Sequence, residues 1–212
     1  MTGHTHSRGG RYLVVDDLLA EAEFTALAEE FARIPLKPAL STIDPFLDGF
    51  GYHGTGAKHP LTALPDTAPA WQRTVAERIT AAVDVLDRDG AEHLDITFTP
   101  WAYPDGSRLS WHNDAGERRV GAFVLFAHRA WSASWGGGLA LVDAPSGPDT
   151  ADGDGLMDSA VHPTLILPRP NRLVVFRSET MHSVQRVDRA AGDRLRRTWT
   201  GFLSVRHDAA TA

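Results

Sequence analysis

The sequence predicts a mainly β fold, a sandwich or barrel, flanked by two buttressing helices. Three observations carry this expectation. From about residue 93 onward, short runs alternate in hydrophobicity or are enriched in β-branched and aromatic residues: 93–103, 107–113, 120–127, 138–143, 161–167, 172–177, 182–187 and 196–206. Turn-forming clusters separate them at 104–106, 136–138, 145–148 and 168–170. Before residue 93 only two segments have helical periodicity, too few for a helical bundle.

In chain order, residues 1–10 are expected to be a disordered tail, with His4 and His6 solvated rather than gathered on a metal. Tyr12 to Val15 reads as a short strand. Asp16 or Asp17 then caps a helix to about Phe31, whose stripe is Leu19, Ala22, Phe24, Leu27, Ala28 and Phe31. Pro35 and Pro38 stop it. Residues 41–66, rich in Gly, Pro, Asp and His, read as a long loop of the kind that forms lids. A second helix runs from Pro69 to about Asp87 on a stripe of Trp71, Val75, Ile79, Ala82, Val83 and Leu86, and Gly90 ends it. Within the β region, 145–157 is a Gly/Asp/Pro-rich surface excursion, and 208–212 is a mobile end. Residues 11–207 therefore form one domain: 11–92 supply the helical buttress and lid loops, and 93–207 the β core.

The chain has 212 residues, 42% hydrophobic and 23% charged, which excludes a wholly disordered or fibrous protein. Cysteine is absent, so disulfides, thiolate metal sites and a Cys nucleophile are excluded, and a reducing cytoplasmic location is expected. A net charge of −6 argues against a nucleic-acid partner despite the many tryptophans. No apolar run is long enough to span a membrane, so no membrane partner is expected. Nothing in the sequence specifies an oligomeric state. The expected partner is a small-molecule substrate, an amino acid or a peptide.

The sharpest local feature is Ser110-Trp111-His112-Asn113-Asp114. Residues i and i+2 of a strand share a face, so His112 and Asp114 project together. His182 follows the apolar run at 173–176 and can complete two histidines and a carboxylate, the set that leaves open positions on non-haem Fe(II). Further on, Arg196, Thr198, Thr200 and Phe202 share one face of the last strand-like run. An inward arginine is costly unless an anion pairs with it, and its planar fork suits a carboxylate. A metal with open positions and a buried arginine together suggest a small dicarboxylate that chelates the metal at one end and meets Arg at the other. A register slip of one residue would exchange Arg196 for Arg197. The other histidines, His53, His59, His93, His128, His162 and His207, lack a partner at ligand spacing and read as surface or core residues.

In order, Tyr103 and Gly106, His112 and Asp114, Gly137-Gly138-Leu139, His182 with Val184, and Arg196 with Thr198 form a composite pattern over 99–206. That tract resembles the prolyl 4-hydroxylase-like branch of the Fe(II)/2-oxoglutarate-dependent dioxygenases. The resemblance implies a double-stranded β-helix (jelly-roll, cupin-like) core with N-terminal buttressing helices. It implies His112, Asp114 and His182 as ligands of Fe(2+), and Arg196, Tyr103 and Thr200 as the residues that bind 2-oxoglutarate. The co-substrates implied are 2-oxoglutarate and O2, consumed to succinate and CO2 while an unactivated C–H bond is hydroxylated. With Asp114 present, hydroxylation rather than halogenation is expected. The compact chain favours a free or modified amino acid or other small metabolite as substrate. A peptidyl-prolyl or other protein side-chain hydroxylase is the alternative within the family; a non-catalytic metal-binding jelly roll or a zinc hydrolase are the alternatives outside it. Segments 41–58 and 128–136 are expected to form the lid, with Arg108, Arg118 or Arg129 near the mouth.

Overall fold

A computed structural model describes residues 4–87, 90–116, 118–143 and 162–206; the excursion expected at 145–157, His207 and the end at 208–212 lie outside the described residues. Strands β1 (His4–Arg8) and β2 (Tyr12–Asp16) lead into helix α1 (Glu21–Arg33). Strands β3 (Lys37–Leu40), β4 (Phe50–His53) and β5 (Ala57–Pro60) precede helix α2 (Ala70–Thr80) and a 3-10 turn at Val83–Leu86. Then come β6 (Leu94–Tyr103), β7 (Leu109–His112), β8 (Arg119–Phe126) and β9 (Leu139–Leu141). The last four are β10 (Thr164–Ile166), β11 (Leu173–Arg177), β12 (His182–Val184) and β13 (Arg196–Val205).

These strands build two antiparallel sheets. The major sheet has the order β1-β2-β11-β8-β13-β6-β4-β3, with β5 also paired to β6, and the minor sheet is β10-β9-β12-β7. Facing each other, they form the expected double-stranded β-helix. Alternation along each strand sorts residues between two cores. Leu173 and Val175 of β11, Phe123 and Leu125 of β8, and Trp199 and Leu203 of β13 point outward under the helices. Val174, Phe176, Ala122, Val124 and Phe126 point inward and meet Leu139, Leu141, Ile166 and Val184 of the minor sheet. Helix α1 buries Phe24, Leu27, Ala28 and Phe31, and α2 buries Trp71, Val75 and Ile79, so both helices buttress the outer face. Among the described residues, no helix is long and apolar enough to cross a membrane.

Several N-terminal expectations are corrected. Residues 4–8 of the supposed tail form β1, paired with β2. This edge strand is mostly exposed and has no apolar pattern; main-chain pairing and polar contacts such as His6 Nδ1 to Asp16 (3.2 Å) hold it. Asp16 does not cap a helix. It is buried at the end of β2, where Arg172 Nε and Nη2 donate to it at 2.6 and 2.9 Å. Burial alone would raise the Asp16 pKa, but Arg172 and Arg169 outweigh that and hold it below the ordinary value. Helix α1 instead starts after Ala20, whose amide donates to Glu23 (3.2 Å), while the Asn171 side chain takes up the Leu19 amide at 2.9 Å. The loop expected at 41–66 contains β4 and β5, which pair with β6 through main-chain bonds that hydropathy does not report. The second helix ends at Thr80. There the chain tightens, with Ala82 N donating to Ile79 O three residues back, and the 3-10 turn lets Val85 and Leu86 bury.

The major sheet depends on one close approach. A Cβ on Gly201 of β13 would lie 1.7 Å from the Thr97 carbonyl oxygen and 2.6 Å from the Phe123 ring. Backbone cannot move aside as a flexible side chain can. Gly201→Ala is expected to cost about 3 kcal/mol through strand separation, read as a lowered urea midpoint. An unchanged midpoint would contradict this packing.

Candidate active site

Strands β7 and β12 of the minor sheet are paired so that His112 and His182 lie directly opposite each other. Their rings are 4.1 Å apart, centroid to centroid. Each imidazole is oriented by a carbonyl two residues earlier in its own chain: His112 Nδ1 to Ser110 O at 2.8 Å, and His182 Nδ1 to Thr180 O at 2.9 Å. Donation from Nδ1 leaves both Nε2 lone pairs aimed at the same point, the arrangement a metal-binding histidine requires. Asp114 lies just past the end of β7, held by its own amide, which donates to Ser178 O (2.7 Å). Its carboxylate oxygens are 3.8 Å from His112 Nε2 and 3.5 Å from His182 Nε2. One ligand atom from each of the three residues falls within a 4.8 Å cluster. Burial and the neighbouring His112 push the His182 pKa down to about 3, so its imidazole is neutral at pH 7. Burial raises the Asp114 pKa, against the opposing charges of His112 and Arg119. Two imidazoles and a carboxylate, brought together from one side, fit a divalent iron with positions left open.

The three donors open into a cavity of ≈ 430 Å³ between the two sheets. Arg196, Thr198, Thr200 and Phe202 of β13 line it, and Tyr103 of β6 lies across from Arg196. Arg197 belongs to the outer face, its guanidinium carbon 5.8 Å from the Phe31 ring. Arg196 is 1% exposed. Its Nε donates to Gly137 O at 2.6 Å, while Nη2 is buried with no partner. Gly137 has φ +70°, and a Cβ there would sit 2.8 Å from Arg196 Cδ, so the carbonyl reaches the guanidinium only because residue 137 is glycine. Burial lowers the Arg196 pKa to about 10, which leaves it cationic at pH 7. Tyr103 is pushed up to about 12 by burial and stays a neutral phenol. Thr198 is fully buried and its Oγ1 also lacks a partner, whereas Thr200 Oγ1 is 3.5 Å from Thr99 O. Buried donors left open in a cavity fit an anionic acceptor such as one carboxylate of 2-oxoglutarate.

Other sequence expectations divide. From the first lid segment, Ser41, Thr42, Ile43, Gly49 and Phe50 line the cavity; none of 128–136 does. His128, read as a surface or core histidine, is buried between Phe126 and Trp131. Arg108 lines the cavity, but Arg118 and Arg129 do not, and Arg129 lies 3.7 Å from Glu29. Two residues went unnoticed in the sequence. Arg119 lines the cavity with its guanidinium carbon 3.8 Å above the Phe202 ring. Asp48 is 1% exposed and accepts from Ser110 N (2.9 Å), Ser110 Oγ (2.6 Å) and Ser41 Oγ (2.6 Å). It thus ties the 41–49 loop to the strand that carries His112. Its only sequence signal was an aspartate in a polar loop, 62 residues from its partner.

The sequence pattern of the 2OG-Fe(II) oxygenase superfamily matches residues 98–204, which include His112, Asp114, His182 and Arg196. The chain belongs to this superfamily. The oxygenase therefore uses Fe(II), 2-oxoglutarate and O2, and the non-catalytic and zinc-hydrolase readings fall away. No curated protein matched the sequence. Among solved structures, a prolyl-4-hydroxylase from Pseudomonas putida aligns over 92% of this chain and 93% of its own, with TM-score 0.60 and 20% identity. HygX from Streptomyces hygroscopicus, solved with nickel, 2-oxoglutarate and hygromycin B bound, aligns over 94% of this chain and 84% of its own (TM-score 0.58, 16% identity). The carbocyclase SnoK from nogalamycin biosynthesis aligns over 94% and 81% (TM-score 0.59, 13% identity). At these identities the likeness is one of fold.

The Asp48 tie has a pH signature. Burial would raise its pKa, but the Ser110 and Ser41 hydroxyls and the Ser110 and Asp44 amides hold it below 3.8. Its stabilisation is therefore complete above pH 3.8 and lost as pH falls through the lowered value. Asp48→Ala strands the buried Ser110 donors and is expected to cost about 3 kcal/mol at neutral pH. In urea titrations this penalty should shrink in acid; a pH-independent penalty would contradict the ionised tie.

Proposed function

We propose that His112, Asp114 and His182 hold Fe(II), and that Arg196 and Thr198, beside Tyr103, receive the distal carboxylate of 2-oxoglutarate. We further propose that the reaction hydroxylates an unactivated C–H bond of a small metabolite, such as a modified amino acid. The observation that carries this reading is the pair of open donors, Arg196 Nη2 and Thr198 Oγ1, buried in the cavity that the three metal-ligand side chains share. Thr198 replaces Thr200 in this assignment, because its hydroxyl is the one with no protein partner.

When bound, Fe(II) with 2-oxoglutarate and O2 supplies the oxidation: one oxygen atom enters succinate as CO2 leaves, and the other enters the substrate C–H bond. The protein's own groups position and exclude. The Ser110 and Thr180 carbonyls lock both imidazoles in one tautomer and one orientation. Arg196 supplies a fixed cation that orients the dicarboxylate, held from behind by Gly137. The neutral Tyr103 phenol adds polarity without a competing charge. The 41–49 loop, held by Asp48, covers one side of the cavity against bulk water.

A cavity of ≈ 430 Å³ that must take 2-oxoglutarate as well favours a small substrate. A protein side chain is the second reading. The observation in its favour is the exposed Phe46 and Leu47 on the loop beside the cavity, a surface that a longer chain would cover.

The co-substrate assignment is tested by titrating Ni(II)-loaded protein with 2-oxoglutarate in a calorimeter. Losing a buried, charge-assisted carboxylate contact in Arg196→Ala should weaken binding about 100-fold. Arg197→Ala, which alters the outer face, should stay within about twofold. Equal effects, or none from Arg196→Ala, would contradict the assignment.

A further inference from the structure

We infer that the substrate is a carboxylate monoanion with an apolar body and no ammonium group, and that Arg119 binds its carboxylate. This rests on the iron and 2-oxoglutarate assignment above and deepens it through the charges of the cavity. Among the described residues, the charged side chains lining the cavity are Arg108, Arg119 and Arg196 against a single carboxylate, Asp114. Arg108 lies 3.4 Å from the buried, ionised Asp48 and is compensated there. Iron and Asp114 together carry one net positive charge and Arg196 a second, and the two carboxylates of 2-oxoglutarate balance both. Arg119 is then left over.

Its geometry suits a ligand. Arg119 begins β8, and its guanidinium stacks 3.8 Å over Phe202, which projects inward from β13. Stacking fixes the plane of the fork while leaving its edge free to meet a carboxylate. Among the described residues, no carboxylate or hydrogen-bond acceptor takes that edge, although the chain carries 27 acidic residues and pairs many of its other arginines. Arg119 is exposed at the cavity mouth, so a ligand can reach it without opening the core.

The remaining walls set the rest of the molecule. Leu40, Ile43 and Phe50 line the cavity with partly exposed apolar surface, together with Trp101 and Phe202. Among the described residues lining the cavity, an ammonium entering here would find no carboxylate except Asp114, which the iron occupies. A zwitterionic free amino acid therefore fits less well than an acid whose amine is absent or acylated. A phosphomonoester carries close to two charges at neutral pH, more than one free guanidinium balances.

The test uses Ni(II)-loaded protein saturated with 2-oxoglutarate and three probes: 3-phenylpropionate, 3-phenylpropionamide and L-phenylalanine, measured by calorimetry. The acid should bind at least about tenfold more tightly than the amide and than phenylalanine, as expected for a charge-assisted contact. Arg119→Gln should lower the acid to the amide's level, and Arg119→Lys should keep part of the preference. The proposal is overturned if the acid shows no advantage, if none of the probes binds, or if the preference survives Arg119→Gln. Binding of 2-oxoglutarate in the same samples is read separately. Its absence from the wild-type protein would overturn the parent assignment instead, and its presence in the variants establishes that they are folded.

Discussion

The register of β13 is the constraint on which the site depends. This strand is paired along both edges, to β8 and to β6, with Thr198 opposite Phe126 on one side and Trp101 on the other. Two ladders fix which side chains enter the cavity. On the outer face, Trp199 packs against Trp71 at 4.7 Å and Phe31 at 6.0 Å between ring centroids. A slip of one residue would drive Trp199 into the cavity and carry the Arg196 charge beneath the helices, losing the aromatic packing and desolvating a guanidinium with no acceptor. Apolar packing on one side of the sheet thus decides which arginine enters the cavity on the other.

That arginine is kept at a cost. A fully buried guanidinium with one hydrogen bond to Gly137 and an open Nη2 lowers stability relative to an apolar side chain of similar size. The same holds for His112, Asp114 and His182, held close together with the Phe176 ring 4.7 Å from His182. The supporting structure makes these arrangements persist: the Ser110 and Thr180 carbonyls, the Asp114 amide on Ser178, and Asp48 beneath Ser110. Asp48 links the 41–49 loop to the His112 strand, since the residue that anchors the loop also anchors the segment whose carbonyl orients His112. The apolar core behind β8 and β11 keeps both strands from shifting under this load.

The parts of this structure that were legible in the sequence follow from period and from chemistry. The strands of the jelly roll read clearly because alternation of buried and open faces leaves a two-residue period, as in β6 and β13. The clustering of His112, Asp114 and His182 could be anticipated because a His and an Asp two apart are meaningful on a strand, and the inward Arg because charge in a core needs a partner. What escaped was held by tertiary contact. β1, β4 and β5 are edge pairings of polar, Gly- or Pro-containing segments whose stability comes from main-chain bonds to neighbours distant in sequence. Asp16 looked like a helix cap because its partner Arg172 lies 156 residues away. Thr198 and Thr200 share a face and differ in burial and in whether a neighbouring carbonyl is within reach, which no spacing encodes. Arg119 stood beside Arg118, and only the fold determines which of the two enters the cavity.

Anaerobic titration of metal-free protein with Fe(II) and then 2-oxoglutarate, followed by visible absorption, tests the shared centre most directly. A keto acid chelating ferrous iron gives a metal-to-ligand charge-transfer band. The geometry of His112, Asp114, His182 and Arg196 requires that band to appear only after both additions, and to vanish in His182→Ala. A band of equal strength in His182→Ala, or none in the wild type with both components bound, would contradict the assembly of iron and 2-oxoglutarate in this cavity.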